Sequence, residues 1–429
     1  MSDLVTGLSF LLAQSEQSLL FLFWYTLVFE LPRYGFAFLA LGAVALWFRE
    51  PPAAATLRGS RQPPTARGVS VIVVGHNEAD GIEACIRSLR EQSMNDFELV
   101  VVSDGSSDAM AAVARRLQAE RLVDQVLATD LRGGKSSGIN LAIGACHGDI
   151  IVNVDCDCSY DRFAIEEILA PFADPKVGAV SGDIVPRNGD ASLIAHFQEI
   201  EYLIGISVGK RISSALDQVV CVSGAFGAFR RGALEQVGAF DVGAGEDLDL
   251  TLRLRGVGWR IVFAPDAVCY TDVPVRLWPL VRQRLRWERD SVRLRYRKYS
   301  YLMDPRSARF HPAETFHQWD FLIYGVLGSI IFPVYIVWLF TLYGAFTIPI
   351  LIAMQLGLFV IDAVTLLLAD LITGRPVFWR HLPYVLGHSL FTTYVMRLVR
   401  LWAYIEEWML FASTRDNYVP HKVRAIRKW

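Results

Sequence analysis

Apolar positions fall along this chain in three rhythms. Residues 19 to 48 are almost continuously apolar, interrupted only at Glu30-Leu31-Pro32-Arg33. From Val69 to Val275 the apolar positions come as short runs separated by stretches with helical spacing. From Phe321 to Phe411 they are nearly continuous again.

In the middle region, Val69–Val74 reads as a strand, followed by a helical pattern over Ala79–Glu91. The arrangement repeats with Phe97–Val102, a turn at Ser103-Asp104-Gly105-Ser106 and a helix over Asp108–Arg121. Gln125–Ala128 offers a third strand, and Gly134–Cys146 a helix feeding a fourth, Ile150–Val154. Strands alternating with helices predict an α/β domain with a mostly parallel sheet and crossover helices on both faces.

The two ends predict membrane segments, since a bilayer core takes roughly 20 apolar residues as helix. One span enters near Leu31–Gly35 and runs to Phe48, with Leu19–Phe29 either a second span or a helix in the interface. A cleaved signal does not fit, because no basic segment precedes this long apolar stretch. Phe321–Tyr343 and Phe346–Ile372 are two further spans. The turn between them has no Lys or Arg, as expected outside, and Arg375, Arg380 and His381 follow, as expected inside. Leu382–Phe411 carries Arg397, Arg400, Glu406 and Glu407, and a full span there would put the basic tail outside. The charge bias favours a re-entrant or interfacial helix. The expected organisation is membrane segments over 1–50, a basic linker over 51–68, a cytosolic α/β domain over 69–275, amphipathic interface helices over 276–315, membrane or interface helices over 316–411, and a basic cytosolic tail over 412–429.

Composition supports that division. Hydrophobic residues make up 53% of the 429, and the mean hydropathy is +0.32. The formal net charge is −2, with basic residues crowded into Arg276–Lys298 and the tail, so a bilayer is the expected partner and nucleic acid is not. The cysteines (85, 146, 156, 158, 221 and 269) all lie in the central region with no metal-type spacing, which reads as reduced thiols in a cytosolic domain.

Candidate chemistry gathers at the predicted strand ends, where open α/β sheets bind ligands. Asp155 and Asp157 end the fourth strand, and alternation turns both to one side with Cys156 away. Two hard oxygen donors there suit Mg²⁺ or Mn²⁺ carrying a substrate's phosphates. Asn77-Glu78 follows the first strand and Ser103-Asp104 the second. Gly133-Gly134-Lys135 opens a helix, where backbone N–H groups and an ammonium would meet a diphosphate, or the glycines simply punctuate a loop. Neither GxGxxG after the first strand nor GxxxxGK[ST] is present, which argues against a dinucleotide-binding dehydrogenase and a P-loop ATPase. Further on, Val222–Arg230 is a small-residue segment, Gly245-Glu246-Asp247 an acidic helix start or a general-base site, and Pro279–Val292 a basic amphipathic helix.

In order, Asn77-Glu78, Ser103-Asp104-Gly105-Ser106, Gly134-Lys135, Asp155-x-Asp157, Ser223-Gly224, Gly245-Glu246-Asp247 and Gln283-x-x-Arg286-Trp287 resemble the motifs of the membrane-integrated family 2 glycosyltransferases. These are the chitin-oligosaccharide, hyaluronan, poly-N-acetylglucosamine and cellulose synthases, and the resemblance runs from about Val69 to Ser291. It implies an α/β GT-A domain with flanking transmembrane helices and amphipathic interface helices, in a bacterial inner membrane with the catalytic domain cytosolic. It implies inverting transfer from a UDP-sugar, with Mg²⁺ or Mn²⁺, to a growing β-linked polysaccharide or a lipid-linked acceptor. By that resemblance Asn77, Glu78, Ser103 and Asp104 line the nucleotide pocket, and Lys135, Gln283 and Arg286 meet the diphosphate. Asp155 faces the nucleotide sugar and Asp157 is the direct metal ligand. Asp247 is the general base beside Glu246, while Trp287, Ser223 and Gly224 meet the acceptor. The family usually has an acid where Ser103 stands, which bears on nucleotide preference and also fits an inactive partner subunit of an export complex.

Overall fold

The computed structural model describes residues 7, 9–47, 68–241, 243–307, 310–415 and 420–424. The expected linker over 51–68, apart from Gly68, and much of the basic tail lie outside the described residues. The chain divides into two compact units. One comprises Met1–Arg49, Leu277–Glu288 and Tyr301–Leu410; the other comprises Glu50–Arg276, Arg289–Ser300 and Phe411–Trp429.

The second unit is built on an eight-stranded sheet of order β3-β2-β1-β4-β7-β6-β8-β5. Strands β1 (Val69–Gly75), β2 (Glu98–Asp104), β3 (Gln125–Thr129) and β4 (Ile150–Asp155) are mutually parallel. β1, β2 and β4 are Val- and Ile-rich and almost wholly buried, as strands covered on both faces must be. Helices Ile82–Arg90, Met110–Ala119 and Lys135–Ala145 make the crossovers, close to the expected spans. Val71, Val73, Leu99 and Val152 face one apolar cluster, and Ile72, Val100, Ile139 and Ile151 the other.

The expectation of a mostly parallel sheet holds for this half only. β7 (Phe226–Arg230) runs antiparallel to both β4 and β6 (Val177–Pro186). β8 (Arg260–Thr271) is parallel to β6, with register shifts, and β5 (Ser159–Tyr160) is antiparallel to β8. The sheet is therefore mixed. Its β7 strand lies inside the segment that read as small residues, because Gly227 and Ala228 hide the apolar alternation.

In the helical unit, the expected break at Glu30–Arg33 does not occur. Thr26–Ala37 is π-helical around Pro32 and continues into helix Phe38–Trp47. The wider turn absorbs the proline, and the charges find partners: Glu30 pairs with Arg397, and Arg33 with Asp320 at 2.8 Å. Tyr25 and Tyr335 stack at 5.2 Å, and their hydroxyls donate to the carbonyls of Gly328 and Leu22 at 2.8 and 2.6 Å. Among the described residues one helical run, Pro312–Thr373, is long and apolar enough to cross a membrane by length and composition, with a mean hydropathy of 2.3. It turns at Gly344 into helices Gly328–Tyr343 and Thr347–Thr373. The 382–411 region is helical through Phe378–Leu390, Phe391–Met396 and Arg397–Leu410. Its charges turn inward: beyond the Arg397 pair, Arg400 lies 3.4 Å from Glu288, whose carboxylate also accepts the Tyr404 hydroxyl at 2.8 Å.

Candidate active site

The chain winds outward from β1 to β2 and β3, then returns to place β4 on the other side of β1. That reversal opens a crevice beyond the carboxyl ends of β1 and β4. Register sets Val74 level with Asp155 and Gly75 level with Ser103, so the polar residues after three strands reach one rim. A cavity of about 240 Å³ lies there. His76 and Glu78 line it from the loop after β1, Asp104 from β2, and Arg132 and Lys135 from around the next helix start. Asp155, Cys156 and Asp157 complete it. β4 ends at Asp155, and Cys156, though it borders the cavity, is buried in the apolar cluster with Val71, Val73 and Val154.

The Gly133-Gly134-Lys135 segment works differently from the expected amide cradle. Asp104 Oδ1 accepts the Gly133 N–H and Oδ2 the Gly134 N–H, both at 2.7 Å. Those donors are therefore committed within the protein, and Asp104 holds the loop. Gly134 adopts φ +91, a left-handed conformation that glycine reaches without strain. The helix starting at Lys135 is thereby aimed into the cavity. Lys135 Nζ donates to Asp155 Oδ1 at 2.5 Å and to the Gly224 carbonyl at 3.1 Å, and stands 3.9 Å from Glu246 Oε1.

Gly224 is the meeting point. A Cβ added there would stand 3.4 Å from Lys135 Nζ, 3.6 Å from Glu246 Oε1 and 3.7 Å from Asp247 Oδ2. Glu246 and Asp247 open helix Glu246–Gly256, whose N-cap Gly245 has φ 72. Asn153, two residues before Asp155 on β4, donates to the same Gly224 carbonyl at 2.7 Å. The Lys135–Asp155 link, Arg132 and Asn153 were not foreseen; a lone amide within the apolar β4 run was the available signal for Asn153.

The acids outnumber the lysine that serves them. Burial, then the charges of Asp157 and Asp155, raise the pKa of Glu78. Burial raises that of Asp155, with Asp157 and Asp247 adding to it and Lys135 opposing. Glu246 is pushed up to about 7, first by burial and then by Asp247 and Asp155, again against Lys135. Glu78, Asp155 and exposed Asp157 line this cavity with carboxylate oxygens, the hard donor type that Mg²⁺ and Mn²⁺ take.

The remaining expected residues fall elsewhere. Asn77 is exposed in a left-handed conformation (φ 60), and its side-chain carbonyl accepts the Ser107 N–H at 2.8 Å, joining the β1 and β2 loops. Ser103 is buried within β2 and does not line the cavity. Ser223 hydrogen-bonds inward, to Ser181 and Lys210. Gln283, Arg286 and Trp287 lie on helix Leu277–Arg293, in the part that belongs to the helical unit. There Trp287 is exposed, with the Arg284 guanidinium 4.2 Å from its ring centre, and Gln283 Oε1 is buried.

A family model described as "Glycosyltransferase like family 2" matches residues 64–289. An N-acetylglucosaminyltransferase of Rhizobium meliloti (strain 1021) is 31% identical over 238 residues, 52% of this chain and 56% of its own length. A poly-beta-1,6-N-acetyl-D-glucosamine synthase of Staphylococcus aureus (strain MSSA476) is 30% identical over 224 residues, 51% of this chain and 53% of its own. The chain thus spans about half the length of the curated relatives it matches. The structure of the mannosyltransferase PcManGT from Pyrobaculum calidifontis, in complex with GDP-Man and Mn²⁺, is similar with a TM-score of 0.52 at 24% identity. It covers 87% of this chain and 96% of its own, a likeness of fold alone and in keeping with a GT-A-like mixed sheet. With the family match running through every strand of that sheet, the chain belongs to glycosyltransferase family 2.

Proposed function

We propose that this protein is an inverting, membrane-integrated glycosyltransferase that uses a cytosolic UDP-sugar to extend, and export, a β-linked polysaccharide. The observation that carries the reading is Gly224, where the lysine of the donor cavity and the acids of the Glu246–Gly256 helix converge. The curated relatives, two of them named for N-acetylglucosamine transfer or polymerisation, support polysaccharide synthesis.

The reaction asks two things of the site. An acceptor hydroxyl attacking C1 of the sugar must lose its proton, and the leaving diphosphate must be neutralised. Asp247 is the base, adjoining the Gly224 turn where Lys135 arrives from the donor side. Lys135 neutralises the diphosphate, held ready by Asp155 and the Gly224 carbonyl. Asp157, with Asp155, would hold Mg²⁺ or Mn²⁺, which would supply further positive charge to the leaving group. Gln283 and Arg286 are assigned to the diphosphate and Trp287 to the acceptor, through the motif they form. Inversion needs one base and no covalent intermediate, which is what these residues offer. The Pro312–Thr373 run supports integration in the membrane.

The test is release of UDP from UDP-glucose, UDP-N-acetylglucosamine, UDP-glucuronate and UDP-galactose by detergent-purified protein with Mn²⁺ or Mg²⁺. Release from one donor, abolished by EDTA and restored by the cation, is expected. Release from none overturns the reading. Product length then separates polymerisation from addition of a single sugar to a lipid.

A further inference from the structure

We propose that Lys210 is a positioning residue for sugar transfer, anchoring the Ser223–Gly224 turn through which the donor lysine and the acidic helix meet. The proposal rests on the glycosyltransfer reading above and assigns it a residue outside the recognised motifs.

Helix Leu193–Tyr202 widens into π-helical turns over Leu203–Val208 before resuming as Gly209–Ala215. Such widenings re-aim the side chains around them and recur at functional sites. Two residues flanking the second junction reach back to β6. Ser207 donates to Asp183, at 2.7 and 3.0 Å to its two oxygens, and Lys210 Nζ donates to Ser181 Oγ at 2.9 Å and to Ser223 Oγ. Ser181 Oγ also accepts the Ser223 N–H at 3.1 Å, so Ser223 is held at both its amide and its hydroxyl.

The neighbours of Ser223 carry that anchoring into the site. Before it, the Val222 N–H donates to Thr251 Oγ1 at 3.0 Å, and that hydroxyl donates to the Asp247 carbonyl at 2.7 Å. After it, the Gly224 carbonyl takes Lys135 and Asn153. Three successive residues thus tie to the base helix, to Lys210 and to the donor lysine. Both hydrogen bonds of Lys210 go to hydroxyls, while Cys221, Asp247 and Asp183 act on it electrostatically and burial pushes its ammonium below the usual lysine range. A desolvated ammonium without a directly bonded carboxylate is costly, and an apolar side chain of the same length would serve stability better. What the ammonium adds is a fixed direction for the turn.

The test compares kcat, donor KM and UDP affinity in the full-length wild type, Lys210→Met, Lys210→Arg, Ser223→Ala and the Lys210→Met/Ser223→Ala double variant. Lys135 keeps its Asp155 partner in all of them, so UDP affinity and donor KM are expected to stay within about threefold. Loss of the anchor is expected to lower kcat roughly tenfold or more, as misplacement of reacting groups does. Lys210→Arg recovers part of that loss, and the double variant is no worse than the poorer single one. A Lys210→Met kcat within twofold of wild type, or losses that multiply in the double variant, overturns the proposal. If Lys210→Met does not fold, Lys210→Gln and Ser223→Ala carry the same comparison. Wild-type protein that releases UDP from no donor overturns the functional reading and this inference with it, whereas active wild type with unaffected variants overturns this inference alone.

Discussion

Asp104 and Glu246 show how much of a site is decided one side chain at a time. Both oxygens of Asp104 are spent on the Gly133 and Gly134 amides, so its task is to aim Lys135. Asp104→Ala strands two backbone donors and is expected to cost about 1.5–3 kcal/mol per charge-assisted bond lost, less what water restores. The check is a lowered Tm with a raised donor KM. Glu246 gives a pH prediction. Its carboxyl is held protonated up to about pH 7, against 4.5 in an ordinary environment. The folded chain therefore keeps a proton that the unfolded chain releases, and the stability this confers is complete below pH 4.5 and lost as pH rises through about 7. Glu246→Gln, which stays neutral, should be matched to wild type near pH 4 and have the higher Tm at pH 8, measured in EDTA. Equal Tm values at pH 8 would contradict it. Asp155 and Asp157, which line the cavity, stood out in the sequence because they end an apolar run. The partner of Asp104 did not, since the contact spans 29 and 30 residues and depends on a left-handed glycine.

At the scale of elements, β1, β2 and β4 announce themselves as Val- and Ile-rich runs, and the helices between them as amphipathic stretches. β6 and β7 do not. β6 buries Ser181 and Asp183, which find partners in Ser223, Lys210 and Ser207, and β7 is diluted by Gly227 and Ala228. Polar residues satisfied only in three dimensions look like loop in one. The ends of β1 and β4 also touch closely. A Cβ on Gly75 would lie 2.5 Å from Cys156 Sγ and 2.6 Å from Met110 Cε. Gly75→Ala is therefore expected to cost about 1–3 kcal/mol by overpacking, and to weaken Mn²⁺-dependent UDP binding by shifting the Asp157 turn. Calorimetric titration of UDP with and without Mn²⁺ reads the second effect; unchanged cation dependence would argue against Asp157 as ligand.

Over the whole molecule, the ordered motifs, from Asn77-Glu78 to Gln283-x-x-Arg286-Trp287, pointed to family 2, and the family match bears that out. The long apolar helices were legible from hydropathy where charges are few, as in Pro312–Thr373. Glu30 and Arg33 suggested a break in the first apolar run, and Arg397 and Arg400 a re-entrant or interfacial helix. Pairing with Glu30, Asp320 and Glu288 lets the helices continue. The protein is expected to stay with membranes through alkaline carbonate washing and to need detergent for release; recovery in the wash would remove membrane integration from the account. In the proposed reaction Asp247 takes the acceptor proton while Lys135 and the cation hold the donor. The most direct test is single-turnover transfer by Asp247→Asn beside UDP affinity in the same preparation. Transfer reduced roughly 10²-fold or more with UDP affinity near wild type is the result expected; transfer at the wild-type rate would contradict it.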